Sequence, residues 1–551
     1  MMSKFFSMIK NREITKQQVA KDIIAGIIVA VIALPLSIAL AISSGVSPEK
    51  GLITAIFAGF IISLLGGSKV QIGGPTGAFV VIIYSIIQEY GLNGLITATI
   101  MAGIILVVMG LLRFGSLIKY IPKTITIGFT AGIAITLMST QIKDFFGLHI
   151  DNVPSEFIQK WESYFANITS LNIWSLIIGL GSIFIIVLWP KVNKTIPGSM
   201  IALIIATLAV KLFNLPVETI GSRFVEISSS IPTPIAPTIN ISTINKLFTP
   251  AITIAILAAL ESLLSAVVAD GMINDTHDSN MELVAQGLAN IVSGLFGGIP
   301  ATGAIARTAA NVRSGGKSPI SGMVHALVLL ATMLVLMPLA KMIPMTVLAA
   351  ILMVVSYNMG EWKQFRALLR APKSDVIVLL VTFVCTVVFD LVVAIGIGML
   401  MTMALFMKRI SETTEIRDLV NEKAFDDELA AVLEKADGKI NVYQINGPMF
   451  FGVVQEFILK MKELEATTEV VILDMRHTHA VDASAMDALS TLHKHCNRLN
   501  IKLYLTHVQE QPMKVLNNMG FAVKIGESNI YETKTEAIEK AYDYVKNLQV
   551  S

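Results

Sequence analysis

The sequence predicts an α-helical membrane protein of 14 spans, arranged as two inverted seven-span repeats, with a small α/β domain at its C-terminal end. Three observations carry that reading. The first is composition: 54% of the 551 residues are hydrophobic, 15% are charged, and mean hydropathy is +0.69, far too apolar for a soluble chain of this length. The second is a change of texture near residue 410. Residues 1–410 hold 27 Lys and Arg against 18 Asp and Glu, whereas residues 411–551 hold 15 against 22, so a basic apolar part precedes an acidic, charge-dense tail. The third is repetition. Thr76-Gly77-Ala78 recurs as Thr302-Gly303-Ala304, and Lys119-Tyr-Ile-Pro122-Lys-Thr124 recurs as Lys341-Met-Ile-Pro344-Met-Thr346 at nearly the same offset. Two motifs sharing one offset indicate duplication. A repeat unit with an odd number of crossings must insert its copy upside down, which places a binding site at the repeat interface.

Residues 1–22 are a polar lead-in with no cleavage site and read as a cytoplasmic N-terminal segment rather than a signal peptide. The transmembrane domain follows over 23–410. Its apolar stretches are 23–43, 52–66, 76–88, 94–112, 124–140, 171–189, 198–213, 251–269, 283–296, 302–312, 320–340, 345–359, 374–390 and 391–407. Those beginning at 76 and 302 are shorter than the roughly 20 residues that cross the hydrocarbon. With the N-terminus inside, Arg113, Lys119, Lys123, Lys191, Lys194, Lys363, Arg366, Arg370, Lys373, Lys408 and Arg409 fall on the cytoplasmic side, and the longer loops 141–170 and 214–250 lie outside. This obeys the positive-inside rule and puts both termini in the cytoplasm. Asp22 and Asp390 are expected at membrane interfaces. Asp270, Asp275, His277, Asp278 and Glu282 are expected in a solvated cytoplasmic loop.

Function concentrates in two stretches of one grammar. Phe296 to Lys317 and Val70 to Phe79 each place Gly-Gly, then Pro, then Thr-Gly-Ala at the head of an apolar segment. Gly and Pro there are wrong for a straight span, and Arg307 is costly in hydrocarbon. An extended run through Pro300, with a short helix starting near Thr302, would aim unpaired backbone N–H groups into the membrane, a ready anion site. Either stretch alone also fits a kink or tight helix packing; the pair points to a transporter's binding site. Glu261 lies at the centre of an otherwise apolar span, where an acid costs at least about 2.5 kcal/mol and marks an ion or proton path. Ser265, one turn on, shares its face, and the two read as a proton-coupling site, with Arg307 a partner for Glu261. A protonated, structural Glu261 and an interfacial Arg307 are the alternatives.

Cys385 and Cys496 fall one in each part, so neither a disulfide framework nor a cysteine metal site is expected. No cofactor, metal or nucleic-acid partner is called for. After a linker at 411–437, residues 438–551 alternate strand-like runs (440–445, 470–475, 501–506) with amphipathic helices (451–465, 484–499, 509–519, 532–547), the pattern of a small cytoplasmic α/β domain. Asp482 or Ser484 caps one of these helices.

Ala33-Leu-Pro-Leu-Ser37, Gln71–Phe79, Ala259-Leu-Glu-Ser-Leu-Leu-Ser265, Gly297–Lys317 and Asp482-Ala-Ser484 together resemble the sulfate permease (SulP) family of anion transporters, which includes prestin, with a C-terminal STAS domain. The resemblance covers nearly the whole chain. It implies a core domain moving against a gate domain, with an anion lined by Gly74, Thr76, Gly77, Ala78, Thr302, Gly303 and Ala304 beside Arg307. A cyanobacterial bicarbonate member resembling this chain has Asp and Thr as sodium ligands where this one has Glu261 and Ser265, which favours proton over sodium coupling. The serine matching Ser484 is a phosphorylation site in anti-sigma-factor antagonists, which makes Ser484 a regulatory candidate. The resemblance further implies a homodimer in the bacterial inner membrane and a cytoplasmic partner for the STAS domain. The expected activity is proton-coupled symport of sulfate, bicarbonate or a dicarboxylate by an elevator-like movement. An anion channel or exchanger, a sodium-coupled transporter, and a tethered regulator remain open readings.

Overall fold

The computed structural model describes residues 2–193, 196–224, 228–234, 241–389, 391–422, 425, 427–451 and 467–550, with backbone alone at 117–119, 241–242, 391–392 and 549–550. Lys194, Asp390, the side chain of Lys119 and nearly all of the helix expected at 451–465 lie outside these. The chain divides into two compact units, Met1–Met399 and Leu400–Ser551.

In the first unit α1 (Lys4–Lys10), α2 (Lys16–Ser43), α3 (Pro48–Leu65) and β1 (Gly73–Gly74) lead into a 3-10 turn at Gly77–Phe79 and α4 (Val80–Leu111). Then come α5 (Lys123–Thr140), α6 (Ile142–Phe146), α7 (Phe157–Ala166), α8 (Ile173–Val192), α9 (Gly198–Phe213) and α10 (Ile220–Arg223). The second half runs α11 (Ile241–Ile273), α12 (Ser279–Leu295), β2 (Thr302–Gly303), α13 (Ile305–Arg313), α14 (Ile320–Ala340), α15 (Met345–Met359), α16 (Trp362–Leu368), α17 (Lys373–Val388) and α18 (Leu391–Thr413). Among the described residues nine helices are long and apolar enough to cross a membrane. Each predicted apolar stretch carries helix, including the short ones. α4 is broken at Gly91, whose φ of +66° only glycine adopts readily, so it holds the two stretches 76–88 and 94–112. The repeated Pro122 and Pro344 are the N-cap residues of α5 and α15, where a missing N–H has no cost.

Two packing groups form. One holds α2, α3, α4 and α11 to α14; the other holds α5, α8, α9, α15 and α17. Within the first, α4 and α12 meet at Gly103 and Gly287. A Cβ on Gly103 would lie 2.6 Å from the Gly287 carbonyl, and one on Gly287 would lie 2.5 Å from that of Gly103, a small-residue contact of the kind that brings membrane helices to backbone distance.

Two acids stand where sequence position misleads. Asp22, expected at an interface, is fully buried in α2 and accepts from the backbone N–H of Lys317 and Ser318 and from the Ser318 hydroxyl. Glu282, expected in a solvated loop, is buried in α12 and accepts from Gly67 N, Ser262 Oγ and Gln286 Nε2 at 2.8, 3.0 and 2.8 Å. Buried carboxylates persist only when donors replace the lost water, and here most of the donors come from remote segments.

The second unit is a three-layer α/β domain. Its strands are β3 (Glu415–Asp418), β4 (Ile440–Asn446), β5 (Val470–His477), β6 (Lys502–Thr506) and β7 (Ile530–Tyr531), in spatial order as in sequence. β3 pairs antiparallel and the rest parallel. Helices α19 (Asp427–Lys435) and α23 (Lys534–Val550) cover one face around Val442 and Ile472. Helices α20 (Ala483–Arg498), α21 (Glu510–Asn518) and α22 (Phe521–Ile525) cover the other around Val471 and Leu473. The segment 411–437, expected as a linker, thus supplies an edge strand and a packed helix. The cap of α20 is Asp482, which accepts from Ala485 N at 2.8 Å; Ser484 is not the cap but lies in the first turn, half-buried.

Candidate functional site

The two Gly-Gly-Pro stretches meet. β1 and β2 pair antiparallel, Gly73 opposite Gly303 and Gly74 opposite Thr302, and Ala304 N donates to Ile72 O at 2.9 Å. Extended backbone inside a membrane must satisfy its own polar groups, each costing several kcal/mol if left bare. The approach to β2 is accordingly held by side chains. Thr54 Oγ1 accepts from Ile299 N at 2.8 Å, Asn290 takes both the N–H and the carbonyl of Ala301, and Ser293 Oγ donates to Ile299 O. Gln71 Nε2 donates to Ser262 O and Oγ, both at 3.1 Å. Sequence reasoning passed over Thr54, Ser262, Asn290 and Ser293; their signal is polarity inside apolar helices.

The structure favours glycine at two points. Gly74 has a φ of +153°, and a Cβ there would lie 2.3 Å from Arg307 Nη1; a Cβ on Gly303 would lie 1.5 Å from Gln71 Nε2. The short helix begins at Ile305 rather than near Thr302, because Thr302 and Gly303 are engaged in the strand pair. Ala304, its N-cap, gives no side-chain cap, and neither does Thr76, the N-cap of the 3-10 turn that carries Gly77 and Ala78. Both helix starts therefore leave leading N–H groups without side-chain acceptors. Gly77 and Ala78 are buried, Gly77 against Leu137 and Met359. The Thr302 hydroxyl is turned away, donating to Ala258 O at 2.8 Å.

Arg307 is 1% exposed. Its Nη2 donates to Pro75 O at 2.8 Å, while Nε and Nη1 have no partner. Thr76 Oγ1 donates to Glu261 Oε2 at 2.6 Å. The expected Arg307–Glu261 partnership is not formed: among the described residues the ion pairs do not include it, and each group is held by the stretch 75–76 instead. Ser265 is buried and shares a 3.3 Å hydrogen bond with Thr308 Oγ1, which also accepts from Ile72 N, so it ties α11 to α13. His325, fully buried on α14 with both ring nitrogens unpartnered, was not singled out by sequence, though a lone histidine in an apolar span is a visible mark. No group of three His, Cys, Asp or Glu is placed to hold a metal among the described residues.

The sulfate permease family model matches residues 19–382, and the STAS domain model matches residues 431–537. The "Putative sulfate transporter YvdB" of Bacillus subtilis (strain 168) is 41% identical over 523 residues, covering 94% of this chain and 97% of that protein. The "Bicarbonate transporter BicA" of a Picosynechococcus species is 28% identical over 536 residues, covering 94% of each. The solved transmembrane domain of a cyanobacterial BicA superposes with a TM-score of 0.64 at 30% identity, covering 70% of this chain and 99% of that one. Murine Slc26a9 superposes with a TM-score of 0.87 at 20% identity, covering 98% of this chain and 94% of that one, a likeness of fold. With a family model spanning most of its membrane unit and a full-length relative at this identity, the chain belongs to the sulfate permease family.

Proposed function

We propose that this protein is a secondary active transporter of a small anion, sulfate, bicarbonate or a dicarboxylate, coupled to proton entry. The observation that carries the reading is Arg307: a guanidinium buried at the β1–β2 crossing, with two nitrogens unsatisfied and two uncapped helix starts alongside. A buried cation is tolerated where it faces something anionic. The backbone N–H groups of Gly77, Ala78 and Ile305, with Arg307, would replace the water an anion loses, and Gly74, Thr76, Thr302, Gly303 and Ala304 shape the cradle. Substrates named for the relatives are sulfate and bicarbonate.

Glu261, hydrogen-bonded to Thr76 in the same cradle, is the proposed proton carrier. Moving one uncompensated charge against 100 mV costs about 2.3 kcal/mol; a proton moved with a monoanion removes that cost. The crossing belongs to one packing group, which supports an elevator-like movement of that group against the other. The helix pattern and the positive-inside rule support a reading of fourteen membrane segments with both termini cytoplasmic, in the bacterial inner membrane. The STAS domain would organise a homodimer and receive a cytoplasmic regulator. Ser484, in the first turn of α20, is placed where an added phosphate would face a helix N-terminus.

Uptake of labelled sulfate, bicarbonate, fumarate and chloride into proteoliposomes, with and without an inward proton gradient, tests this. Accumulation above equilibrium driven by the gradient is expected for at least one anion. Flux that only equilibrates would make the protein a channel or exchanger.

A further inference from the structure

A second site lies away from the crossing. α7 packs on α5 and α17, and its Lys160 and Tyr164, one turn apart on one face, are 3% and 2% exposed. Lys160 lines two adjoining cavities of about 630 and 270 Å³. The smaller, also lined by Tyr164, sits where the end of α2 meets α5, α6, α7 and α10.

The charges around it are spoken for. Arg223 is paired with Asp144 at 2.6 Å and with Glu218, and Lys143 donates to the Ile150 carbonyl. Asp151 on the smaller cavity, and Glu89 and Glu156 on the larger, are exposed to solvent at the rims. Among the described residues the Lys160 ammonium makes neither a hydrogen bond nor an ion pair, and the Tyr164 hydroxyl is buried without a partner. Tyr84, on the same wall, gives its hydroxyl to Val153 O. The ammonium of a buried lysine and a buried phenol, both able to donate, therefore line a cleft with no side-chain or backbone partner of their own. Such donors are costly to leave bare.

We propose that Lys160 and Tyr164 form a second anion-binding site, in which a compact inorganic oxyanion docks between α7 and the ends of α2 and α5, separate from the Gly74–Thr302 crossing. Lys160 supplies charge and Tyr164 a directional hydrogen bond, a pairing that suits an acceptor-rich anion. Burial pushes the Lys160 amine down to about 8, as befits an ammonium awaiting its counter-ion. The loop bearing α7 faces the side opposite the termini in the topology proposed above, so the site would meet anions from outside. It stands whether or not the crossing is the transported anion's site.

Residue-resolved acetylation of the purified full-length protein tests this, with trace acetic anhydride and mass spectrometry across pH 7–10, in sodium gluconate and with added sulfate, bicarbonate or chloride to about 100 mM, the weak end of specific binding. Lys160 acetylation should fall about threefold when the anion reaches twice its dissociation constant, by mass action, and its apparent pKa should rise. Tyr164→Phe should need more anion for the same protection. Arg307→Ala, which disables the crossing, should leave protection intact. Unchanged acetylation with all three anions overturns the proposal, and so does a Lys160 that never reacts, because the cavity then has no solvent route. Protection lost in Arg307→Ala also overturns it, since the anion would then be acting through the crossing alone.

Discussion

Thr76 and Glu261, from opposite halves of the chain, are joined by a 2.6 Å hydrogen bond at the centre of the membrane unit. The threonine sits at the N-cap of the 3-10 turn and the acid near the middle of α11, so this one contact ties the proposed proton carrier to the proposed anion cradle. Glu261→Gln keeps volume and hydrogen bonding but cannot titrate. The variant should exchange anion across proteoliposomes yet fail to accumulate it under an inward proton gradient. Uptake in the Gln variant that still follows the gradient would assign Glu261 a structural role.

Arg307→Ala should raise the KM for the transported anion by about tenfold or more, because a hydrogen bond to a charged group contributes about 1.5–3 kcal/mol. Arg307→Lys should fall between, retaining the charge but losing the fork that reaches Pro75 O and the open side together. Wild-type KM in both variants would remove Arg307 from the anion site.

Gly303→Ala should destabilise the solubilised protein by about 1–3 kcal/mol, the usual scale of overpacking, and abolish uptake. The added methyl meets Gln71 Nε2 at 1.5 Å. A second change, Gln71→Ala, removes the obstruction and should restore part of the lost thermal stability. No rescue would show that the strand pair itself, rather than the glutamine, sets the glycine requirement.

Cys496, buried beneath β5 in the STAS domain, has a thiol pushed up to about 12 by burial. At pH 8 it should react with iodoacetamide far more slowly than after denaturation, the thiolate being the nucleophile. The sign for stability follows. A folded thiol that stays protonated where the unfolded one ionises, near pH 8.5, makes the domain lose stability as pH rises beyond that value. Rapid labelling of the folded domain would contradict both.

Residues whose own backbone or charge is out of place were legible in the sequence. Gly74 announces a conformation other residues rarely take and Gly303 a close approach that a side chain would block, and Glu261 and Arg307 are charges in apolar runs. What those groups touch was not legible, since Thr76 and Pro75 reach them across the whole chain and carry no mark of doing so. Asp22 and Glu282 show the same blindness from the other side. By position they look like solvent-facing acids, and only their remote backbone donors, Lys317 and Ser318 for one and Gly67 for the other, reveal them as pins. The start of α13 moved to Ile305 because pairing with a partner strand outcompeted helix at Thr302 and Gly303, a tertiary effect that local propensity does not contain. In the tail, β3 was read as linker because an edge strand of four residues is too short to show alternation.

The meeting of Gly103 and Gly287 limits how this molecule can work. Where long side chains interdigitate, one helix can slip past another by changing rotamers, as through grease. Where two main chains touch, any slip must either pry them apart or drive carbonyl into carbonyl. The stretch of α4 beyond its Gly91 break and α12 are thus welded, and with them the β2 leg that leaves α12. Whatever stroke carries an anion across, these pieces ride as a single keel, and the compliance must sit in the seams lined by leucine, isoleucine and methionine.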